Sequence, residues 1–322
     1  MTNKQISFVG DVGGTNARFA LVEDGKLVSE SIYNCINSDY GSTVDALKAF
    51  LREQGNPKVD SACLALACPI TGDTVKLTNC DWEFSQKAIK DALGLRRVVF
   101  VNDFTALAMG VPELTPEQYF AVGGGSPKEH MPIGVMGAGT GFGVSALIWG
   151  GEQWTALQGE GGHIGFAPVN EVEAEIMRLG WKEYGERVSV ERILSGAGIE
   201  FLYRSLSHIK GEKPRALKAS DITIEAIEDP QSTCGEVVKL FLGVLGTVAG
   251  DWALQLGAMG GIYIGGGIVP KLGDLVHKSR LRGRFEAKGR FKDYVSEIPL
   301  YVITDSVQTA LVGAATILNN RK

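Results

Sequence analysis

The stretch "GDVGGTNARFALV" (residues 10–22) decides how this chain is read. Ile6, Ser7, Phe8 and Val9 lead into it and an apolar run (17–22) leads out, so residues 6–22 read as a hairpin of two strands joined by a glycine turn. Asp11 stands at the entrance of that turn. Backbone N–H groups without a neighbouring Cβ form concavities that bind anions, phosphates above all. The competing reading of Asp11 is an aspartate that merely stabilises the turn.

Working outward, the middle of the chain repeats the layout. "IGVMGAGTGFGVSALI" (133–148) again runs apolar strand, glycine turn with a threonine, apolar strand. Gly10 falls over Gly137 and Asp11 over Ala138, a weak internal duplication in which only one copy keeps the acid. A third glycine element, "GGIYIGGGIVP" (260–270), follows a helical pattern at 237–248 and a strand at 262–264. A helix is expected over 42–54, with Val44, Leu47 and Leu51 on one face and Gly55 as its stop. A buried strand is expected over 62–67, followed by the turn "CPITGD". "RRVVFVNDFTALAMG" (96–110) reads as a buried strand and then an apolar helix. The end reads as a strand (298–305) and a helix (307–318) whose small residues Ala310, Gly313 and Ala314 allow close packing. Strands alternating with helices indicate an α/β protein.

Each glycine turn alone is a weak signal. No G-x-x-x-x-G-K-[ST] occurs, and Gly141-x-Gly143-x-x-Ala146 fits the dinucleotide pattern only by letters, because a strand follows where a helix is required. Three such turns after three strands are a better signal: two would clasp a polyphosphate, the third would lie near a base or sugar. Asp11 would then hold Mg²⁺, largely through water.

A polar constellation accompanies them. Asn102 and Asp103 end the strand "VVFV", where open α/β sheets place their ligands, although either one could instead cap the next helix. Glu160 and His163 lie in "GEGGHIGF", where glycines leave little apolar core to house a structural histidine. Glu191 follows Ser189 and has as its alternative a place in the first turn of a helix.

Bulk properties narrow the class. The chain has 322 residues, with 42 glycines, five cysteines and a net charge of −5 from 32 basic and 37 acidic residues. An acidic balance argues against nucleic acid or an anionic membrane as partner. No signal peptide is visible, and the longest apolar run (240–250) is closed by Asp251 short of a membrane span. Cys35, Cys63, Cys68, Cys80 and Cys234 are scattered without a CxxC pair, which supports reduced thiols in a cytoplasmic protein over zinc or disulfides.

Taken in order, "GDVGGTNAR", "VNDF", "GAGTGFG", "GEGGHIGFAP", "ERILSGAG", "GGIYIGGGIVP" and "KGRF" resemble the bacterial glucokinases, in matching order from Gly10 to about Tyr301. The cysteine-rich zinc motif of the related repressor/sugar-kinase family is missing, which places the resemblance in the zinc-free group. The resemblance implies a two-domain actin-like ATPase (ribonuclease H-like) fold with a cleft between the domains, here 1–113 plus 304–322 and 114–303. It implies ATP as phosphoryl donor, Mg²⁺, D-glucose as acceptor at its 6-hydroxyl, and a homodimer. It assigns Gly10, Asp11, Val12, Gly13, Gly14 and Thr15 to the first phosphate loop, with Asp11 near the metal. Gly137, Ala138, Gly139, Thr140 and Gly141 form the second loop. Gly265, Gly266 and Gly267 would lie by the adenosine, beside Ser195 and Gly196. Asn102, Asp103, Glu160, His163 and Glu191 would surround the sugar, with Asp103 as general base.

Two rivals remain at this stage. One is a kinase for another hexose or an amino sugar, or one using polyphosphate. The other is a non-enzymatic actin-like nucleotide-binding or sugar-sensing protein. A DNA-binding sensor should carry a helix-turn-helix and a basic face, and the first glycine turn comes too early in this sequence to leave room for one ahead of it.

Overall fold

The structure, a computed structural model, describes residues 5–77 and 82–320. The chain divides into two compact units: Met1–Thr115, Trp154–Gln158 and Asp305–Lys322 form one, and Pro116–Gln153 and Gly159–Thr304 the other. The expected divisions, after residues 113 and 303, do not set 154–158 apart, because no break in composition marks that stretch.

In the first unit, β1 (Ile6–Val12) and β2 (Asn16–Glu23) form the antiparallel hairpin that alternation and the glycine turn predict. β3 (Lys26–Leu27) and β4 (Tyr33–Ile36) both pair with β2. The helix α1 (Thr43–Glu53) starts where Ser42 accepts the Asp45 N–H, a standard N-cap. It leads to β5 (Ser61–Leu66), parallel to β1 and buried at every position, as a strand covered on both faces must be. β6 (Thr74–Lys76) and β7 (Glu83–Ser85) make a small ladder of their own. Then α2 (Gln86–Leu93) leads to β8 (Arg97–Asn102), parallel to β5, and to α3 (Asp103–Gly110). The sheet order is β3-β2-β1-β5-β8.

Period two sorts the strands. Phe8, Phe19, Leu64 and Phe100 join Leu47 and Phe50 of α1 and Ile89 of α2 in one core. The intervening positions Val9, Ala65 and Val101 are also buried. The C-terminal helix (Ser306–Asn320) packs on β1, β5 and α3. Its small face does what its composition allows: a Cβ on Gly313 would run into the Ala106 carbonyl, and one on Gly110 into the Thr309 carbonyl.

The second unit begins with β9 (Tyr119–Ala121) and then repeats the hairpin theme in β10 (Ile133–Ala138) and β11 (Phe142–Trp149). β12 (Trp154–Gly159) follows, with residues 154–158 grouped in the first unit. Four helices come next: α4 (Glu171–Tyr184), α5 (Gly196–Ile209), α6 (Ala219–Glu228) and α7 (Thr233–Leu256). β13 (Gly261–Gly265) runs parallel to β10. Short helices α8 (Asp274–Lys278), α9 (Leu281–Glu286) and α10 (Lys292–Ser296) lead to β14 (Leu300–Ile303), parallel to β13 and antiparallel to β9. Thus β10–β11–β13 repeats the arrangement of β1–β2–β5, an antiparallel hairpin whose first strand has a parallel partner on its other side.

Helix α7 extends well beyond the apolar run at 240–250. Among the described residues it is the single helix long and apolar enough to cross a membrane, yet 67% of its most apolar window is buried. It is a core helix, packed with Ile199, Phe201, Ile262 and Phe285. Cys80 lies outside the described residues, and the other four cysteines are in no disulfide among the described residues.

Candidate active site

Val12, Leu66 and Asn102 share one register row across β1, β5 and β8, so the chain leaves all three parallel strands at one edge of the sheet. The first glycine turn lies there. Its carbonyls are tied back: Asn16 O accepts the Gly13 N–H at 3.0 Å, Asn37 Nδ2 donates to Gly13 O at 2.9 Å, and Asn37 N donates to Thr15 O at 2.9 Å. Asn37, a buried side chain, is a brace that the sequence reading missed. It sits in the polar run "INSDYGS", which carries no period and no motif.

Asp11 lies on β1, not in the turn, and faces Arg18 across the hairpin with Oδ2 and Nη1 3.7 Å apart. Its side chain is 17% exposed. Burial pushes its pKa up to about 6, against the pull of the Arg18 guanidinium. The turn-stabilising alternative for Asp11 is therefore not what the geometry displays.

Of the two sequence readings for Asn102 and Asp103, the structure displays the cap, and Asn102 supplies it. Asn102 caps α3, its Oδ1 accepting from Phe104 N (2.9 Å) and Thr105 N (3.2 Å). Its Nδ2 donates to Asp103 Oδ1 at 2.9 Å, and Phe104 N donates to the same oxygen at 2.9 Å. The Asn102 amide also reaches the Cys68 carbonyl at 3.5 Å, in the turn after β5. Cap and clamp together hold Asp103 Oδ1 at the end of β8.

In the second unit the remaining two glycine turns converge. Gly137 pairs with Gly265 across β10 and β13. Gly266 has φ +84°, and a Cβ there would press on the Ala138 backbone. Gly139 N donates to Gly141 O at 2.8 Å, and Gly196 N donates to Gly139 O at 2.9 Å. That last bond brings the N-terminus of α5 onto the second turn, with Ser195 as its N-cap, Oγ accepting the Gly198 N–H at 3.0 Å. Amide-lined turns beside a helix N-terminus suit phosphate oxygens. Phe142 to Trp149 is a strand, in keeping with the rejection of the dinucleotide pattern.

Glu160, His163 and Glu191 also gather in this unit. Gly161–His163 form a 3-10 turn in which His163 N donates to Glu160 O at 3.0 Å, and both side-chain-bearing residues are exposed. Val190 N donates to Ile164 O and Phe166 N to Val188 O, both at 2.9 Å, and Gly165 bridges Ser189. This short ladder carries Glu191 alongside the His163 segment. Arg187 also donates to the His163 carbonyl. Glu191 sits in its own 3-10 turn capped by Ser189, and its Oε2 accepts the Phe142 N–H at 2.9 Å. It thereby ties the second glycine turn to the histidine segment, a contact that leaves no room for a Cβ on Gly141.

Among the described residues no group of three His, Cys, Asp or Glu side chains could hold a metal alone. A single carboxylate, Asp11, fits Mg²⁺, which takes one or two protein carboxylates and fills its shell with water and substrate phosphates.

A family model described as Glucokinase matches residues 8–321. The chain is 44% identical over 310 residues to a glucokinase of Chromobacterium violaceum, covering 96% of this chain and 88% of that one. It is 42% identical over 322 residues to a glucokinase of Hahella chejuensis, covering 100% and 99%. A solved glucokinase from an Antarctic psychrotroph superposes with a TM-score of 0.88 at 36% identity, covering 98% of this chain and 99% of that one.

Proposed function

The chain belongs to the glucokinase family, and from that membership we propose how its residues divide the transfer of a phosphoryl group from ATP to D-glucose. It is an ATP-dependent hexose kinase on the actin-like ATPase fold.

Asp103 is the general base. A hexose hydroxyl is a poor nucleophile at neutral pH, so a carboxylate within hydrogen-bond reach must take its proton as the new O–P bond forms. The O6–Pγ bond forms, the bond from Pγ to the β,γ-bridging oxygen breaks, the proton passes to Asp103, and ADP leaves. The observation that carries this role is the double clamp on Asp103 Oδ1 by Asn102 Nδ2 and Phe104 N at the strand ends. Such a hold pre-orients the carboxylate, and positioning is most of what phosphoryl transfer asks of a protein.

Asn102, Glu160, His163 and Glu191 bind sugar hydroxyls in this reading, with Glu191 also bracing the second turn through Phe142 N. Specificity follows from polar groups that a bound sugar lacking the matching hydroxyl would cover and leave unpaired. Residues 10–15 and 137–141 receive the phosphates through backbone N–H groups, and 265–267 lie by the adenosine. Neither phosphate turn contains a lysine, so amide dipoles do the work a lysine does elsewhere. Asp11 would hold Mg²⁺, which when bound supplies charge neutralisation at the phosphate oxygens. The native assembly is a homodimer in the cytoplasm, which light scattering and fractionation check.

ADP release with Mg-ATP is the test, run without sugar and then with glucose, mannose, fructose and N-acetylglucosamine. Strong stimulation by glucose, with one glucose 6-phosphate per ADP, is expected. Preference for another acceptor would move the substrate assignment, and sugar-independent release would overturn the reading.

A further inference from the structure

Glu173 is the most deeply buried carboxylate of the second unit, its side chain 1% exposed on the first turn of α4. A charge removed so fully from water persists only with a full set of partners, and Glu173 has one. Its Oε2 accepts the Val169 N–H at 3.0 Å, and its Oε1 accepts Asn170 Nδ2 at 2.8 Å. Arg284, 12% exposed on α9, donates to both oxygens, Nη1 at 2.8 Å and Nη2 at 3.3 Å. The remaining guanidinium nitrogen, Nε, donates to Thr247 Oγ1 of α7 at 2.9 Å.

Two bodies meet at this pair. One is the segment from Glu160 to Asn170, pinned at its middle by the ladder to 188–190 and at its far end by Glu173. The other is the α7–α9 pair, which brackets the third glycine turn in the chain: α7 leads into β13 and α9 follows it. That pair has its own bonds. Lys288 Nζ donates to Thr247 O at 2.8 Å and to Asp251 Oδ1 at 2.6 Å, and a Cβ on Gly246 would strike the Leu281 carbonyl. Removing the Glu173–Arg284 pair therefore takes away both the acceptors that hold the end of the histidine segment and the tie of that end to α9, while leaving the helices around the nucleotide turn packed.

We infer that Glu173 and Arg284 are positioning residues for the hexose side of the reaction, anchoring the segment that carries Glu160 and His163. This rests on the assignment of those two residues to the sugar, and neither Glu173 nor Arg284 touches substrate.

Full-length wild type, Glu173→Gln, Arg284→Met and the double variant Glu173→Met/Arg284→Met are compared for glucose KM, ATP KM, kcat and melting temperature. In Arg284→Met, which strands a buried carboxylate, melting falls by roughly 10 °C. The double variant regains much of that loss because no charge is left buried. Its glucose KM nevertheless stays raised roughly 10- to 100-fold, since Val169 N and Asn170 Nδ2 have lost their acceptor and small misplacements of substrate-binding groups are costly. ATP KM stays within about twofold of wild type. Glu173→Gln keeps an acceptor and the shape, folds where the others fail, and gives an intermediate glucose KM. Unchanged glucose KM in the variants that fold, or glucose and ATP KM rising together, would overturn the positioning role. A wild type that ignores glucose would instead defeat the functional reading on which it stands.

Discussion

Asn102 uses one amide for two purposes: its Oδ1 caps α3 through Phe104 N and Thr105 N, while its Nδ2 holds Asp103 Oδ1 at 2.9 Å. The helix start and the orientation of the Asp103 carboxylate are thus one hydrogen-bonded unit at the end of β8.

Asp103→Asn keeps the shape and removes the proton acceptor. Turnover should fall roughly 10²–10⁴-fold while glucose affinity, read by equilibrium binding, changes little. Near-normal turnover would take Asp103 out of the base role. Asn102→Ala loses the cap, about 1 kcal/mol of stability, and frees the carboxylate, so it should lower kcat as well as melting temperature.

Asp11 links pH to stability with an unusual sign. Its folded pKa is raised from 3.8 to about 6, so the native protein holds a proton there that the unfolded chain has already released. The stabilisation is full below about pH 4 and is lost as pH rises through about 6, a difference of about 3 kcal/mol. Asp11→Asn should therefore raise the melting temperature near pH 7.5 and flatten its decline between pH 4 and 6. If Asp11 holds Mg²⁺ as proposed, turnover should also fall roughly 100-fold. A variant less stable than wild type at pH 7.5 would show that the Arg18 pairing outweighs burial.

Two glycines separate ligand effects from folding effects. A Cβ at Gly139 meets nothing within 4 Å, whereas Gly266 combines φ +84° with a clash against Ala138. Gly139→Val should leave the melting temperature nearly unchanged and raise ATP KM. Gly266→Ala should lower both stability and ATP affinity. Unchanged ATP KM in Gly139→Val would argue against the second turn as a phosphate site.

Gly313→Ala should cost about 1–3 kcal/mol, the usual range for overpacking, because its new methyl meets the Ala106 carbonyl. Denaturant unfolding of the variant checks this. A neutral result would mean that α3 and the C-terminal helix can slide apart without loss.

Much of this architecture is legible in the sequence because it follows regular periods. The hairpins at Gly10 and Gly137, the strand before Asn102 and the helix after Ser42 each announce themselves by alternation, a helical stripe or a cap. The bracing of the site is not legible in that way. Asn37 reaches the first turn from an aperiodic loop. The ladder between 164–166 and 188–190 consists of isolated backbone bonds between two short loop segments that share no sequence period. Glu173 stands in a charged helix, "EVEAEIMRL", where a carboxylate looks solvated, and its partner Arg284 is 111 positions away. Glu191 was readable as a site candidate, but its bond to Phe142 N depends on where two loops meet.

The C-terminal helix also sets an order of assembly. β1 and β5 are synthesised well before the helix that covers them. The first sheet must wait, with one apolar side bare, while the intervening residues 116–304 are made. During that interval the nascent chain is a target for chaperones and for self-association. Closure of the first sheet therefore waits on residues 306–320, and a premature stop before Ser306 would release a polypeptide whose opening strands lack that cover.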